Sequence, residues 1–210
     1  MKDKIVFTYN PWKYPKSYKN TLDNVRKYYP DSDIFVFFDG SRDDLKEYLE
    51  VAEEYNCIVS VRSNELGFIS RSDSIKTNLP KQLEWVDRIK SACEASESEW
   101  VMLLEDDVLI KKEIEKWPTS DCGTNMDGIG FLGGGSVFKR QVFLDCLAKS
   151  DVSEIILGNH TASWAGDHLM SCIFLPQGAT AEKWIELAEP GYYDRGPHSV
   201  FHGYKDLHNK

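Results

Sequence analysis

The chain has 210 residues, of which 41% are hydrophobic and 12% aromatic, and its formal net charge at pH 7 is −9. This hydrophobic content supports a folded core and excludes wholesale disorder. The negative charge argues against a nucleic-acid binder, which needs a basic face, but it permits a nucleotide held through a metal ion.

The first half of the sequence alternates short apolar runs with amphipathic stretches. Strands are predicted at residues 4–9, 33–38, 57–61 and 100–104, and helices at residues 17–29, 41–55 and 80–95. Strands that are apolar throughout and separated by helices are typical of a parallel sheet with helices on both faces. The predicted fold class is therefore α/β, with a mostly parallel central sheet flanked by helices.

Polar residues follow each of these strands. Ligands of open α/β sheets bind at the carboxyl ends of the strands. The residues at these ends are Thr8, Tyr9 and Asn10, then Asp39 and Gly40, then Arg62 and Ser63, and finally Glu105, Asp106 and Asp107. We expect the binding site at this edge of the sheet.

The carboxylates Glu105, Asp106 and Asp107 are the strongest chemical signal. They stand between the apolar runs 101–104 and 108–110 rather than in a polar loop. Adjacent negative charges repel one another and lose hydration on burial, and a bound cation relieves both costs. Oxygen ligands favour Mg²⁺ or Mn²⁺. The alternative is a solvated acidic turn after a strand.

The second half of the chain differs from the first half in composition and pattern. Residues 128–138 are glycine-rich and strand-like, residues 139–149 are predicted to be helical, and all five histidines follow. The consecutive glycines Gly133, Gly134 and Gly135 weaken a strand. They indicate either a close backbone approach to a ligand or a bulge or tight bend, and the sequence does not choose between these.

The cysteine count and the hydropathy of the sequence predict the cellular compartment of the protein. The count of five cysteines is odd, and none of them forms a CxxC pair, which favours free thiols in a reducing environment. No apolar run approaches the ~20 residues that a membrane span needs. We expect a soluble, cytoplasmic protein, and the motif-rich tail suggests a domain of a longer chain.

Three strand–helix units, followed by a strand that ends in the DxD-type motif Glu105-Asp106-Asp107, resemble the GT-A fold glycosyltransferases over nearly the whole chain. The small size is similar to the compact glycosyltransferase domains of large algal viruses. The resemblance implies one domain over residues 1–210, with a nucleotide-binding half to about residue 110 and an acceptor-binding half from about residue 111. It also implies that Asp107 ligates Mn²⁺ or Mg²⁺, supported by Glu105 and Asp106.

The same resemblance puts the nucleotide pocket at the first two strand ends. It implies nucleotide-binding roles for Thr8, Tyr9, Asn10 and Asp39. An Asp accepts a hydrogen bond from the uracil imide, and a Tyr stacks on the base. Arg71 resembles the arginine that reaches the donor diphosphate. Asp39 as an ordinary turn residue and Arg71 as a surface residue are the alternatives.

Acceptor-side residues follow from the resemblance as well. The stretch from Trp164 to His168 resembles the element that carries the catalytic base of inverting enzymes. Asp167 is the predicted base, Trp164 a platform for a sugar ring, and His168 a partner of the acid or another base. The three consecutive glycines resemble the strand beside the transferred sugar. The alternative for Asp167 is the N-cap of a helix at residues 169–174.

The tail completes the predicted site. His202 resembles the C-terminal histidine of the metal shell, with His198 as the second choice, and Lys205 resembles the lysine near the diphosphate. The predicted activity is transfer of a hexose or deoxyhexose from a nucleotide sugar, with a UDP-sugar favoured, to a glycan hydroxyl. Asp167 as a base favours inversion, and retention is the alternative because no sequence feature fixes the face of attack. The alternatives are a sugar-1-phosphate nucleotidyltransferase and a non-catalytic carbohydrate-binding module that uses Trp12 and Trp164.

Overall fold

The computed structural model describes residues 4–11, 15–67, 69–125, 132–188 and 197–202. The strands are β1 (Ile5–Tyr9), β2 (Ile34–Asp39), β3 (Ile58–Arg62), β4 (Trp100–Leu104), β5 (Val108–Ile110), β6 (Cys122–Thr124), β7 (Val137–Lys139), β8 (Ala181–Lys183) and β9 (Val200–His202). The helices are α1 (Pro15–Tyr28), α2 (Leu45–Glu54), α3 (Ile75–Ala95), α4 (Arg140–Ala148), α5 (Val152–Gly158) and α6 (Gly166–Phe174). A 3-10 turn at Leu175–Gln177 follows α6.

A seven-stranded sheet in the order β3-β2-β1-β4-β7-β6-β8 forms the centre of the fold. Strands β3, β2, β1 and β4 are parallel, whereas β7 runs antiparallel to β4 and β6, and β8 is parallel to β6. Strands β5 and β9 form a separate antiparallel pair. The predicted α/β class with a mostly parallel sheet is confirmed, and the bounds of the four predicted strands agree with the structure to within one residue.

Side chains alternate across the sheet into two apolar layers. Ile5 and Phe7 of β1 face a cluster shared with α1 and α2, whereas Val6 faces a second cluster shared with α3, α4, α5 and α6. Burying a large apolar side chain contributes roughly 1.5–3 kcal/mol, so these two layers supply the main stabilising term. The sheet is thereby held rigidly, with its carboxyl edge available for a site.

Strand β3 is less covered than the prediction of a sheet with helices on both faces suggests. It is the edge strand of the sheet, and the exposed fractions of its apolar side chains are 45% for Ile58, 37% for Val59 and 48% for Val61. The central strands β1 and β4 are buried throughout. An apolar run therefore indicated a strand correctly but did not indicate how deeply it is buried.

Helix α3 begins earlier than predicted. The sequence suggested a start at Pro80, a residue common in first turns, but the helix starts at Ile75 and contains the proline. The side chain of Ser74 caps it by accepting from the N–H of Thr77 at 3.2 Å, and buried Asn78 donates to the carbonyl of Ser70 at 2.8 Å. These polar contacts stabilise the additional first turn.

The glycine-rich segment was predicted to be strand-like from residue 128 to residue 138. The structure has a turn at residues 133–136 and a short strand, Val137–Lys139; residues 126–131 lie outside the described residues. Turn geometry prevails because Gly135 has a φ of 78°, which ends extended pairing. None of the described helices combines the length and apolar composition that crossing a membrane requires.

Candidate active site

The site is built where β4 ends. The N–H of Val108 donates to the carbonyl of Glu105 at 3.1 Å and closes a tight turn over the acidic residues. Beyond the turn, β5 leaves the main sheet and pairs with β9, so that Val108 lies opposite His202. This register brings a histidine from the far end of the chain to the acidic turn.

Glu105, Asp107 and His202 converge at this turn. The Nε2 atom of His202 lies 3.4 Å from Oδ1 of Asp107 and 3.5 Å from Oε2 of Glu105. One ligand atom from each residue lies within 4.8 Å of the other two. Ligands about 2.1 Å from an octahedral ion are about 3–4.2 Å apart. Small side-chain adjustments would therefore let this group, which we call the acidic–histidine cluster, hold a divalent cation.

The electrostatics of the acidic–histidine cluster also suit a cation. Burial alone would lower the pKa of His202, but hydrogen bonds and charges from Asp107 and Glu105 outweigh burial and raise that pKa to about 10. At neutral pH, the imidazole is thus protonated in the metal-free protein. A ligating imidazole must be neutral, so a metal ion would take the place of this proton.

Asp106 points to a different part of the fold. Its Oδ1 atom accepts a hydrogen bond of 2.8 Å from the hydroxyl of Tyr9. Burial and the charge of Asp106 raise the pKa of Tyr9, so the hydroxyl stays protonated. Asp106 is not one of the three residues of the cluster, and Tyr9 is wholly buried. The predicted roles, a supporting ligand for Asp106 and base stacking for Tyr9, do not fit these positions.

The glycine turn packs directly against the acidic–histidine cluster. The N–H of Ser136 donates to the carbonyl of Gly133 at 3.1 Å, with Gly135 in the left-handed region. A β-carbon at Gly134 would lie 2.9 Å from Cδ of Glu105. Both explanations that the sequence left open are therefore present, because the tight bend is also what brings the backbone close to the acidic turn.

Asp167 faces the cluster from the first turn of α6. A β-carbon at Gly133 would lie 3.9 Å from Oδ2 of Asp167 and 3.8 Å from Cε1 of His202, so the glycine lies beside both side chains. Burial raises the pKa of Asp167, and the negative charge of Glu105 raises it further. A hydrogen bond of 2.8 Å from the backbone N–H of His168 lowers this pKa but does not outweigh the other two effects. A carboxylate with a raised pKa is a stronger general base.

Helix α6 begins three residues before its predicted start. The N-cap is Ala165, and Asp167 lies inside the first turn, so the alternative that Asp167 is the N-cap is wrong. The ring of His168 is directed elsewhere: its Nε2 atom lies 3.3 Å from Nδ2 of Asn159. The hydrogen bond between His168 and Asp167 is made by the backbone N–H of His168.

Arg71 and Trp164 meet each other. The guanidinium carbon of Arg71 lies 5.4 Å from the centroid of the Trp164 ring, with the arginine exposed and the tryptophan half-buried. The sequence assigned them to different ligands, a diphosphate and a sugar ring. An exposed cation–π contact is worth about 0.5–1 kcal/mol, so a ligand can readily replace it.

Asp39 is occupied by contacts within the protein. Its Oδ1 atom accepts from the N–H of Leu66 at 2.9 Å and from Arg88 at 2.5 Å, and its Oδ2 atom accepts from the N–H of Gly67 at 2.9 Å. Burial alone would raise the pKa of Asp39, but these hydrogen bonds and the charge of Arg88 lower it. A uracil imide would have to displace these donors, so the predicted base contact does not fit this position.

Thr8 and Asn10 complete the β1 end of the site. Thr8 is 2% exposed, and its hydroxyl has no partner among the described residues. Asn10 is half-buried, and its Oδ1 atom accepts from Arg88 at 3.3 Å. Of the three residues predicted after the first strand, only Asn10 has a side chain at the rim of the sheet.

Arg88 is the functional candidate that sequence reasoning missed. Its side chain is 2% exposed and bonds Glu84, Asp39 and Asn10. The i,i+4 spacing of Glu84 and Arg88 predicts an ion pair on a solvated helix face, and no local signal shows that both residues are buried. The contact with Asp39 crosses from a helix to a strand, and such long-range pairing is invisible in one sequence.

The acidic–histidine cluster includes none of three further residues named from the sequence, Lys205, Trp12 and His198. Lys205, predicted to lie near the diphosphate, is outside the described residues, as is Trp12. His198 is described, and its Nδ1 atom lies 2.9 Å from the carbonyl oxygen of Ile185. It is not one of the three residues of the acidic–histidine cluster.

Comparisons with known proteins bear on the fold. No family model and no curated protein sequence matches the chain. The apo form of the glycosyltransferase GlyE from Streptococcus pneumoniae TIGR4 aligns with a TM-score of 0.60 at 8% identity, over 97% of this chain and 54% of that chain. The galactosyltransferase LgtC, solved with donor and acceptor sugar analogs, aligns with a TM-score of 0.57 at 14% identity, over 94% and 86%.

These solved structures show what this chain is similar to. The chain spans about half the length of GlyE and most of LgtC. A cytidylyltransferase from Leptospira borgpetersenii aligns with a TM-score of only 0.46 at 11% identity, over 71% and 66%, and no inference rests on it. At these identities the likeness shows the fold alone, and it confirms that the chain has the predicted GT-A-like α/β fold.

Proposed function

We propose that the chain is a metal-dependent glycosyltransferase. It transfers a hexose or deoxyhexose from a nucleotide sugar, a UDP-sugar, to a hydroxyl of a glycan. The fold of the chain is shared with solved glycosyltransferases. The supporting observation within the molecule is the acidic–histidine cluster at the carboxyl end of β4, the edge at which α/β sheets bind ligands.

Metal binding is assigned to Glu105, Asp107 and His202, whose ligand atoms already lie together. Two carboxylates and one imidazole suit Mn²⁺ or Mg²⁺, which take their remaining ligands from water and phosphate oxygens. When bound, the ion would neutralise negative charge on the diphosphate as the glycosidic bond breaks. Lys205 is proposed, from the sequence alone, to assist in this neutralisation.

Asp167 is the proposed general base. It takes the proton of the acceptor hydroxyl while that oxygen attacks the anomeric carbon and the nucleoside diphosphate leaves. Its raised pKa and its position beside Gly133, across from His202, support this role. A base that acts on the attacking acceptor corresponds to inversion at the anomeric carbon.

The remaining rim is proposed to position the two substrates. The glycine turn leaves room for the transferred sugar, because a β-carbon at Gly133 would point between Asp167 and His202. Trp164 and Arg71 are proposed on the acceptor side, where their mutual contact gives way to the ligand. Asn10 contacts the nucleoside at the end of β1.

The function is tested by calorimetric titration of UDP, GDP and CDP with and without Mn²⁺. We expect UDP to bind only when Mn²⁺ is present, and we expect Asp107→Asn to abolish the effect of the metal. Asp106→Asn is the matched control. It removes the same negative charge at the neighbouring residue, whose side chain is hydrogen-bonded to Tyr9. It should preserve the Mn²⁺ dependence.

A sugar titration and an incubation with a nucleoside triphosphate and a sugar 1-phosphate accompany this titration, and their outcomes separate the other functions. Sugar binding without any nucleotide binding would support the carbohydrate-binding module and overturn the proposal. Formation of a nucleotide sugar from a nucleoside triphosphate and a sugar 1-phosphate would support the nucleotidyltransferase. Nucleotide binding that ignores both the metal and Asp107→Asn would show that the acidic–histidine cluster is structural.

A further inference from the structure

Arg88 is a buried hub that gathers three strand ends. Its Nε atom donates to Glu84 at 2.8 Å, and its NH1 atom donates to Oδ1 of Asn10 at 3.3 Å. Its NH2 atom donates to Asp39 at 2.5 Å and to the carbonyl of Asn64 at 3.1 Å. Asn10 follows β1, Asp39 ends β2 and Asn64 follows β3, so one guanidinium ties together the carboxyl ends of three parallel strands.

The chemistry of this hub requires an arginine. Arg88 uses all three of its nitrogen atoms, and its planar fork directs them to partners on different elements. A lysine would keep the positive charge beside Asp39 and Glu84, but its single nitrogen cannot also reach Asn10 in the same geometry. The arrangement thus separates two properties of the residue, its charge and its directed hydrogen bonds.

The hub fixes the orientation of the Asn10 amide. Since Arg88 only donates hydrogen bonds, the atom of Asn10 that faces it must be the carbonyl oxygen. The amide NH₂ group therefore occupies the other branch, away from the buried guanidinium. Asn10 is half-buried at the carboxyl end of β1, the edge at which α/β sheets bind ligands, so this branch can donate a hydrogen bond to a ligand there.

The contacts of Arg88 also occupy Asp39, the carboxylate that would otherwise compete with Asn10 for the base. Both carboxylate oxygens of Asp39 already accept hydrogen bonds, from Arg88 and from the backbone of Leu66 and Gly67. These contacts anchor the segment after β3 to the end of β2. The group left to form a hydrogen bond with the nucleobase is then the oriented amide of Asn10 and not the carboxylate of Asp39.

We propose that Arg88 is a positioning residue for the nucleobase, and that it acts by holding the Asn10 amide with its NH₂ group towards a carbonyl of the base. The inference rests on the proposed function and deepens it by naming the residues that select the base. A donor at this point matches O4 of uracil, whereas cytosine has an amino donor at the same position. The site therefore prefers a uridine diphosphate over a cytidine diphosphate.

The experiment compares UDP and CDP affinities in the presence of Mn²⁺ for the whole chain. We expect the wild-type protein to prefer UDP by about tenfold or more, the effect of exchanging a matched hydrogen bond for a mismatched one. Asn10→Asp replaces the donor by an acceptor and should abolish or reverse the preference. Arg88→Lys should reduce it to within about threefold, because the amide is then free to turn.

Glu84→Gln is the matched control for Arg88→Lys. It disturbs the same guanidinium on the Nε side, away from Asn10, and should preserve the preference for UDP even where stability falls. A merely structural role for Arg88 would lower both affinities equally and leave their ratio unchanged, which would overturn the inference. Failure of the wild-type protein to bind any nucleotide would instead overturn the proposed function, so the two failures are distinguishable.

Discussion

Asp39 and Asp167 lie on the same rim of the molecule in opposite electrostatic surroundings. Asp39 accepts hydrogen bonds from Arg88 and two backbone N–H groups, and its pKa is lowered. Asp167 accepts one backbone N–H and is buried near the negative charge of Glu105, and its pKa is raised. One carboxylate is held in its charged form by the protein, whereas the other is poised to take a proton.

This contrast extends to the regions around the two residues. At the end of β2, the carboxylates of Asp39 and Glu84 already have an internal cation, Arg88. At the β4 end, Glu105 and Asp107 face His202, whose positive charge depends on a proton. The permanent charge of Arg88 can only orient ligands, whereas the proton on His202 can be exchanged for a metal ion. We therefore assign positioning to the first region and chemistry to the second.

The largest expected effect is that of Asp167→Asn on transfer. Loss of a general base lowers the rate by about 10²–10⁴-fold. The affinity for Mn²⁺ and UDP should stay within about threefold of wild type, because Asp167 is not one of the three residues of the cluster. The rate is measured as acceptor-dependent release of UDP. Equal losses of transfer and nucleotide affinity would show that Asp167 is structural.

The pH dependence of metal binding sharpens the assignment of His202. Its pKa in the metal-free protein, about 10, lies above the ordinary 6.5. The imidazolium therefore stabilises the metal-free protein fully below about pH 6.5, and this contribution is lost as the pH rises through about 10. Between these values Mn²⁺ must displace one proton, so its affinity should rise about tenfold per pH unit.

Calorimetry with Mn²⁺ at about pH 6.5, 7.5 and 8.5 measures this rise. His202→Gln supplies the control, because an amide cannot hold the competing proton and any residual affinity should be independent of pH. A wild-type affinity that does not change over this range would contradict the placement of His202 in the metal shell.

A mutation at the end of β2 should change the stability of the fold. Asp39→Asn removes a charge-assisted hydrogen bond to buried Arg88 and should cost about 2 kcal/mol of unfolding free energy in urea. The pKa of Asp39 lies below its ordinary 3.8, so the stabilisation is present above about pH 4 and is lost as the pH falls through the folded-state value. Exposed Asp43→Asn is the control, expected within about 0.5 kcal/mol of wild type. A cost for Asp39→Asn no larger than that of the control would show that the hub is not needed for folding.

The glycine turn should affect both stability and metal binding. In Gly134→Ala, the added methyl group would press on the side chains of Glu105 and Val108, each 2.9 Å away. We expect a loss of about 1–3 kcal/mol in stability and weaker Mn²⁺ binding. Gly158→Ala, where a β-carbon would meet nothing within 4 Å, should leave both quantities near wild type. Unchanged Mn²⁺ binding in Gly134→Ala would mean that the turn does not support the acidic–histidine cluster.

Local patterns predicted the fold and part of the site. Continuous apolar runs indicated β1, β2, β3 and β4, and the acidic residues after Leu104 indicated the functional edge. The structure brings Glu105, Asp107 and His202 together as the sequence suggested, although metal binding itself stays a prediction. The strands and the acidic turn follow from short-range chemistry, namely continuous apolar runs and the repulsion of adjacent carboxylates, whereas the prediction for His202 rests on the resemblance to GT-A fold glycosyltransferases.

Side-chain directions and long-range partners were beyond the sequence. Nothing in the order Glu-Asp-Asp indicates that Asp106 turns to the hydroxyl of Tyr9. Similarly, Asp39 lies 49 positions before Arg88, and their contact exists only once β2 and α3 have packed together. Roles that depend on which way a turn projects its residues, or on tertiary pairing, need the folded structure.

The central claim is that Glu105, Asp107 and His202 hold the metal that binds the nucleoside diphosphate. The most direct test is an anomalous difference map from crystals grown with Mn²⁺ and UDP. We expect one peak about 2.0–2.3 Å from a carboxylate oxygen of Glu105 and of Asp107 and from Nε2 of His202, with phosphate oxygens completing the shell. A fully occupied Mn²⁺ elsewhere, or bound UDP with no metal at these three side chains, would contradict it.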